Sequence, residues 1–341
     1  MRSLIEKRMV LAGEPLANAA ARQFSIRPLN GMGLRKIRLH LCGVTSAGAA
    51  DPITWGLYQW IKGISLQTSA GEKIYNGVPG MGLYKMNQYF DRCAPYHTPI
   101  LAAAGTYYAV LDLPLVFPFL ARPEDTILDT GRYDDLSLDI ATGVVGDTLV
   151  TPAANTLTCT IGIELIGTKA ALPSSKVADV TKAQKGQPGY HFYCRTYPML
   201  HADVATHWDI ESADDEGMLG FMLYNHGASG IPFIGSVAAP ANDHVTNVFF
   251  EDASSIRLRN VPATSFQQER RELCSFDAHA ADLVSPTLRL GEYPHMFVKD
   301  GFLGEMYSPG GKALAELHWT NATATDETDL ITWGVRTLRP V

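Results

Sequence analysis

Two stretches of this chain carry the same local pattern, a β-hairpin leading into Val-Pro and then a short helix-like segment, and Pro79 and Pro262 set them 183 residues apart. The first copy runs Ile64-Ser-Leu-Gln-Thr-Ser-Ala-Gly-Glu-Lys-Ile-Tyr-Asn-Gly-Val78-Pro79 and continues into Leu83 to Phe90. The second runs Val248-Phe-Phe-Glu-Asp-Ala-Ser-Ser-Ile-Arg-Leu-Arg-Asn-Val261-Pro262 and continues into Phe266 to Leu273. Solenoid and propeller repeats have units of about 20 to 50 residues, so a period this long excludes them and predicts two similar domains in tandem. The length of 341 residues agrees, because one hydrophobic core usually stops growing beyond about 250 to 300.

Around these markers the hydrophobic period is two. Ile37-Arg-Leu-His-Leu, Leu136-Ser-Leu-Asp-Ile and Leu157-Thr-Cys-Thr-Ile-Gly-Ile-Glu-Leu-Ile alternate in the first half. Phe192-Tyr-Cys-Arg-Thr-Tyr, Met218-Leu-Gly-Phe-Met-Leu-Tyr, Ala313-Leu-Ala-Glu-Leu-His-Trp and Ile331-Thr-Trp-Gly-Val-Arg read as strands in the second. Half-buried strands separated by Gly, Pro and Asn turns predict an all-β fold of sandwiches. Ile37–Val44 before the first hairpin matches Met218–Tyr224 before the second; Leu157–Ile166 after the first is paired with Ala313–Trp319 after the second. Residues 1 to about 22, with Leu4, Ile5, Met9, Val10 and Leu16 on one stripe, predict a short amphipathic helix that orders only against a partner. The expected organisation is an arm over 1–30, a first sandwich over 31–168, a connector over 169–189 and a second sandwich over 190–341.

Charge is distributed unevenly. Residues 1–38 hold eight basic side chains against two acidic ones, a local +6, while the whole chain carries −7. Arg2, Lys7, Arg8, Arg22 and Arg27 are therefore candidates for contact with an anionic partner, lipid headgroups or nucleic acid. Charged residues make up only 18% of the chain, below the roughly 25% typical of soluble domains, which predicts surface covered by subunit contacts. The five cysteines are widely spaced and form no Cys-x-x-Cys pair, so they predict core thiols in a reducing compartment and neither a disulfide framework nor a zinc site. The start of the chain has charges inside its apolar stretch and lacks a signal-peptide core. The most apolar run, Tyr107 to Leu120, contains Asp112, Pro114 and Pro118 and is too short to span a bilayer.

Catalytic patterns are thin. Asp134-Asp135 and Asp214-Asp215-Glu216 offer neighbouring carboxylates, but adjacent residues on a strand face opposite ways, so solvated turns are the expectation. None of the ten histidines falls in a tight ligand spacing, and neither Gly-x-Ser-x-Gly nor a phosphate loop is present. No enzyme activity, cofactor or metal is expected. Aromatic residues such as Tyr75, Tyr84, Phe221 and Phe250 follow the strand period and are expected in the core.

One segment adds a resemblance. Tyr107-Tyr-Ala-Val-Leu-Asp-Leu-Pro-Leu-Val-Phe-Pro-Phe, then Ala121-Arg-Pro-Glu-Asp-Thr-Ile-Leu-Asp-Thr-Gly-Arg-Tyr-Asp-Asp-Leu-Ser-Leu-Asp-Ile, resembles the amino-terminal roll of corticovirus-like major capsid proteins from tailless bacteriophages with an internal membrane. The likeness covers roughly residues 30–170. It implies a double jelly roll, two tandem eight-stranded sandwiches, forming a homotrimer that tiles an icosahedral shell beside neighbouring trimers, penton and minor capsid proteins. It also implies synthesis in the host cytoplasm, location in the virion, and an N-terminal arm facing the internal membrane or genome. The competing reading is a carbohydrate-binding or carbohydrate-cleaving β-sandwich protein, which requires an exposed aromatic row with convergent carboxylates.

Overall fold

The structure, a computed structural model, describes residues 5–28, 33–46, 56–92, 95–98, 105–148, 156–168, 190–200, 205–210, 215–226, 245–251, 256–262, 265, 269, 292–307, 315–321 and 327–337. It divides into two units. The first comprises Met1–Pro118, Arg122–Arg195 and Thr337–Val341; the second comprises Phe119–Ala121 and Thr196–Arg336.

The first unit holds β1 (Ile5–Leu16), β2 (Ala21–Ile26), β3 (Gly33–Thr45), β4 (Ile61–Thr68), β5 (Lys73–Val78), β6 (Thr106–Pro114), the two-residue β7 (Leu128–Asp129), β8 (Leu136–Thr142) and β9 (Leu157–Thr168). Helix α1 (Gly56–Trp60) precedes β4, and α2 (Gly80–Asp91) follows β5. One sheet runs β1-β9-β3-β6, with β7 on β3, and the facing strands run β2-β8-β4-β5. The second unit holds β10 (Tyr190–Leu200) from Thr196 onward, β11 (Ala205–Ile210), β12 (Glu216–His226), β13 (Val245–Glu251), β14 (Ile256–Pro262), β15 (Glu292–Met296), β16 (Ala315–Asn321) and β17 (Glu327–Thr337) as far as Arg336. Its orders are β10-β17-β12-β15 and β11-β16-β13-β14. The first residues of β10 cluster with the first unit, where Cys194 and Arg195 pair in parallel with Tyr75 and Asn76.

When β7 is set aside and the strands of each unit are counted from one to eight, both units give the same two sheets, 1-8-3-6 and 2-7-4-5. Such a double Greek key is a jelly roll. The duplicated hairpins occupy strands four and five in both, β4–β5 and β13–β14.

Alternation fills each core. In the first unit Ile37, Leu39 and Leu41 of β3 turn inward with Leu136, Leu138 and Ile140 of β8 and Ile64 and Leu66 of β4, all buried. Each such side chain contributes about 1.5–3 kcal/mol relative to exposure. In the second unit Met218, Phe221, Leu223, Val248, Phe250, Tyr293, Leu317, Trp319 and Leu330 belong to one packed cluster. The outer strand β6 does not present a bare edge. Asn87 of α2 donates to the Asp112 carbonyl at 2.7 Å and accepts from the Asp112 N–H at 3.0 Å, while Tyr96 and Thr98 pair with Val110 and Tyr108. Covering an edge in this way removes a template for unwanted strand addition. Gly80 opens α2 against the Tyr58 carbonyl and Ile61, a gap that no Cβ fits.

Two expectations are corrected. The amino-terminal segment is not a helical arm: residues 5–16 form strand one of the first roll, antiparallel to β9, and residues 21–26 form strand two, antiparallel to β8. Register shifts between Met9 and Leu11 and between Leu11 and Glu14 displace the apolar residues from strict alternation, which is why they mimic a helical stripe. Gly13, at φ +73°, and Pro15 also oppose a continuous helix. Finally, the counterpart of β9 is β17, not Ala313–Trp319; β16 corresponds to β8. The 169–189 connector lies outside the described residues, as does all of the second helix-like segment except Glu269.

Candidate interaction surfaces

The five basic candidates are dispersed along β1 and β2 and beyond. Arg2 lies outside the described residues. Lys7 and Arg8 are exposed on β1, and Arg27 is exposed just after β2. Arg22 is committed within the chain: its guanidinium donates to the Glu14 carboxylate at 2.7 Å and to the Pro15 carbonyl, and sits 4.9 Å from the centre of the Phe24 ring.

The basic excess of residues 1–38 is partly balanced by carboxylates from distant strands. Arg35 lies 3.7 Å from Glu124. On the outward positions of β3, Arg38 grips Asp112 through Nε at 2.7 Å and Nη2 at 2.9 Å, and Lys36 reaches the same carboxylate at 2.5 Å. Lys36 also approaches Asp91 at 3.4 Å; His40 meets Glu164 at 3.2 Å. The pattern follows from register, since Arg38 stands directly opposite Asp112 on β6 and Glu164 on β9. Burial pushes the Asp112 carboxyl upward, but hydrogen bonds from Arg38 and Lys36 outweigh it and hold the group below its ordinary range. That hydrogen bond to Asp112 raises the Arg38 guanidinium further. Asp91 goes the other way, pushed up by burial and only eased by Lys36. Alternation in Lys36-Ile-Arg-Leu-His40 marks this outward row in the sequence, but its acidic partners, 55 to 126 residues away, become visible only through the strand order.

The carboxylate neighbours fall apart as a catalytic pair. Asp134 is exposed and Asp135 half-buried in the turn before β8. Glu216 departs from the turn expectation: it begins β12, is buried, and accepts from Nε of Arg336 at 3.0 Å, a residue directly opposite in the ladder. Asp214 lies outside the described residues. Tyr75, Tyr84, Tyr89, Phe90, Phe221, Tyr224 and Phe250 are buried, as core packing requires, whereas Tyr108 is exposed and Phe249 half-buried. Of the described cysteines, Cys159 and Cys194 are buried, and burial pushes the Cys159 thiol up to about 12. Neither is a reactive thiolate at neutral pH. No described helix is long and apolar enough to cross a membrane.

No protein-family model and no curated protein matches the sequence. Solved structures do match, along nearly the whole chain. The crystal structure of the STIV major capsid protein, from Sulfolobus turreted icosahedral virus, has a TM-score of 0.70 at 13% identity and covers 97% of this chain and 96% of its own. The major capsid protein P2 of bacteriophage PM2 gives 0.57 at 10% identity, covering 98% of each chain. The Faustovirus major capsid protein gives 0.60 at 8% identity, covering 98% of this chain and 90% of its own. With both rolls matched end to end, the fold of this chain is the double jelly roll of these viral major capsid proteins.

Proposed function

We propose that this chain is a major capsid protein, the trimeric building block of an icosahedral shell, and that it catalyses no reaction. The observation that carries this reading is the repetition of one strand order in two rolls of a single chain. Three copies around a three-fold axis supply six similar wedges, which suits a hexagonal lattice position while keeping closed symmetry. Neighbouring trimers, penton proteins and minor capsid proteins are the partners this role requires. The low charged fraction, 18%, suits broad lateral interfaces, whose cores are depleted of charge.

The amino-terminal basic residues face the particle interior in this reading, and their partner is an anionic lipid surface. Lys7, Arg8 and Arg27 are exposed, and each basic residue near such a surface contributes about 1 kcal/mol. Arg2 precedes the described residues, and Arg22, already paired with Glu14, contributes least. Vesicle flotation with anionic lipid tests this: a Lys7→Glu/Arg8→Glu/Arg27→Glu variant loses association, whereas binding to nucleic acid alone would redirect the proposal.

Light scattering of the purified chain tests the building-block reading. A particle of three times the 37.1 kDa chain mass is expected. A monomer at high concentration with measurable glycan affinity would replace it with a carbohydrate-binding role.

A further inference from the structure

The outward face of the second roll carries a group of ligand atoms that the shell role does not use. Glu251 ends β13, and Glu316 and His318 alternate along β16, so all three occupy half-buried positions on one face while Phe250, Leu317 and Trp319 turn into the core. One carboxylate oxygen from each glutamate and one imidazole nitrogen of His318 all lie within 4.8 Å of one another. His318 Nε2 is 2.9 Å from Glu316 Oε2, and the ring rests edge-on to Phe249, 5.8 Å between centres.

Two features of the ladder set this group apart from an ordinary surface ion pair. Glu251 stands directly opposite Glu316 on adjacent inner strands of the sheet, an arrangement of like charges that destabilises a strand pair unless a cation lies between them. Independently, the register on the other side of β16 sets Asp209 opposite Glu316 and His207 opposite His318.

We propose that Glu251, Glu316 and His318 form a site for a divalent transition-metal ion such as Zn²⁺. An imidazole with two carboxylates selects this class over Ca²⁺, which takes six to eight oxygen ligands. The bound ion would tie β13 to β16 and neutralise the opposed glutamates. This site is independent of the shell reading, because it lies within one roll of one chain.

The test uses the full chain, stripped of metal with a chelator and titrated with Zn²⁺ by calorimetry, with Co²⁺ absorption reporting the ligand field. Saturable Zn²⁺ binding is expected, with a visible Co²⁺ band, a raised unfolding temperature, and affinity reduced by about 10- to 100-fold or more in Glu316→Gln, Glu251→Gln and His318→Ala. These outward substitutions spare the core, and circular dichroism confirms that each variant is folded. Absence of saturable binding, binding unchanged in all three variants, or preference for Ca²⁺ over Zn²⁺ would overturn the proposal and leave a structural ion pair only.

Discussion

The third strand of each roll occupies the same place in the same order, yet the two live in different surroundings. Strand β3 alternates between buried and half-exposed positions, with Lys36, Arg38 and His40 on its outward side. Strand β12 is buried at every one of its residues, from Glu216 to His226. The sequences anticipate this: Ile37-Arg-Leu-His-Leu has the period of a strand with one wet face, whereas Met218-Leu-Gly-Phe-Met-Leu-Tyr is the near-continuous apolar run of a strand covered on both. Strand order therefore does not depend on the chemistry of the outer face. One topology has been kept while one face was charged and the other was buried.

Placing a charge at an outward position of each strand gives the largest expected effect. Met222 is fully buried, and Met222→Lys buries an unpaired ammonium, costing about 4 kcal/mol or more in denaturant unfolding. His40→Lys sets an ammonium beside Glu164 at a half-exposed position and should change stability by less than about 0.5 kcal/mol. Equal costs at both positions would end the contrast.

Glycines sharpen it at a smaller scale. A Cβ on Gly220 of β12 would lie 2.5 Å from the His295 carbonyl, 2.6 Å from Trp333 Nε1 and 2.9 Å from Met296 Sδ. One on Gly162 of β9 would meet the His40 Cβ at an ordinary 3.5 Å. Gly220→Ala should therefore cost about 1–3 kcal/mol by overpacking, and Gly162→Ala should be tolerated, both read from thermal or urea unfolding.

The smallest effect concerns acid. Asp112 is held below its ordinary range in the folded chain, so its stabilisation is complete above about pH 4, the unfolded value, and is lost as the pH falls through the lowered one. Asp91 has the opposite sign, destabilising the fold progressively as the pH rises above its unfolded value. Urea unfolding at several pH values should show Asp112→Asn costing about 1–2 kcal/mol at neutral pH and less in acid. Asp91→Asn should be neutral or mildly stabilising at neutral pH.

Much of this architecture was legible in the sequence because alternation reports which side of a strand is buried. The β4–β5 and β13–β14 hairpins and the match of β3 to β12 follow directly from it. Alternation does not report which strand is which, so the sequence pattern sets β16 against β9, whereas its counterpart is β8. Bulges defeated it at the amino terminus, where displaced apolar residues of β1 imitate a helix. The interaction surfaces were less legible. A basic excess counted along residues 1–38 ignores Asp112, Glu124 and Glu164, which reach Lys36, Arg35 and Arg38 only in three dimensions. Glu316 and His318 stand two apart in sequence, but Glu251 joins them through pairing across 65 residues.

Electron cryomicroscopy of the purified assembly tests the central claim most directly. Averaged images should resolve six wedge-shaped β-sandwiches around a three-fold axis, two per chain, each with the strand order 1-8-3-6 over 2-7-4-5. A chain whose halves trace different strand orders, or an assembly without three-fold symmetry, would contradict it.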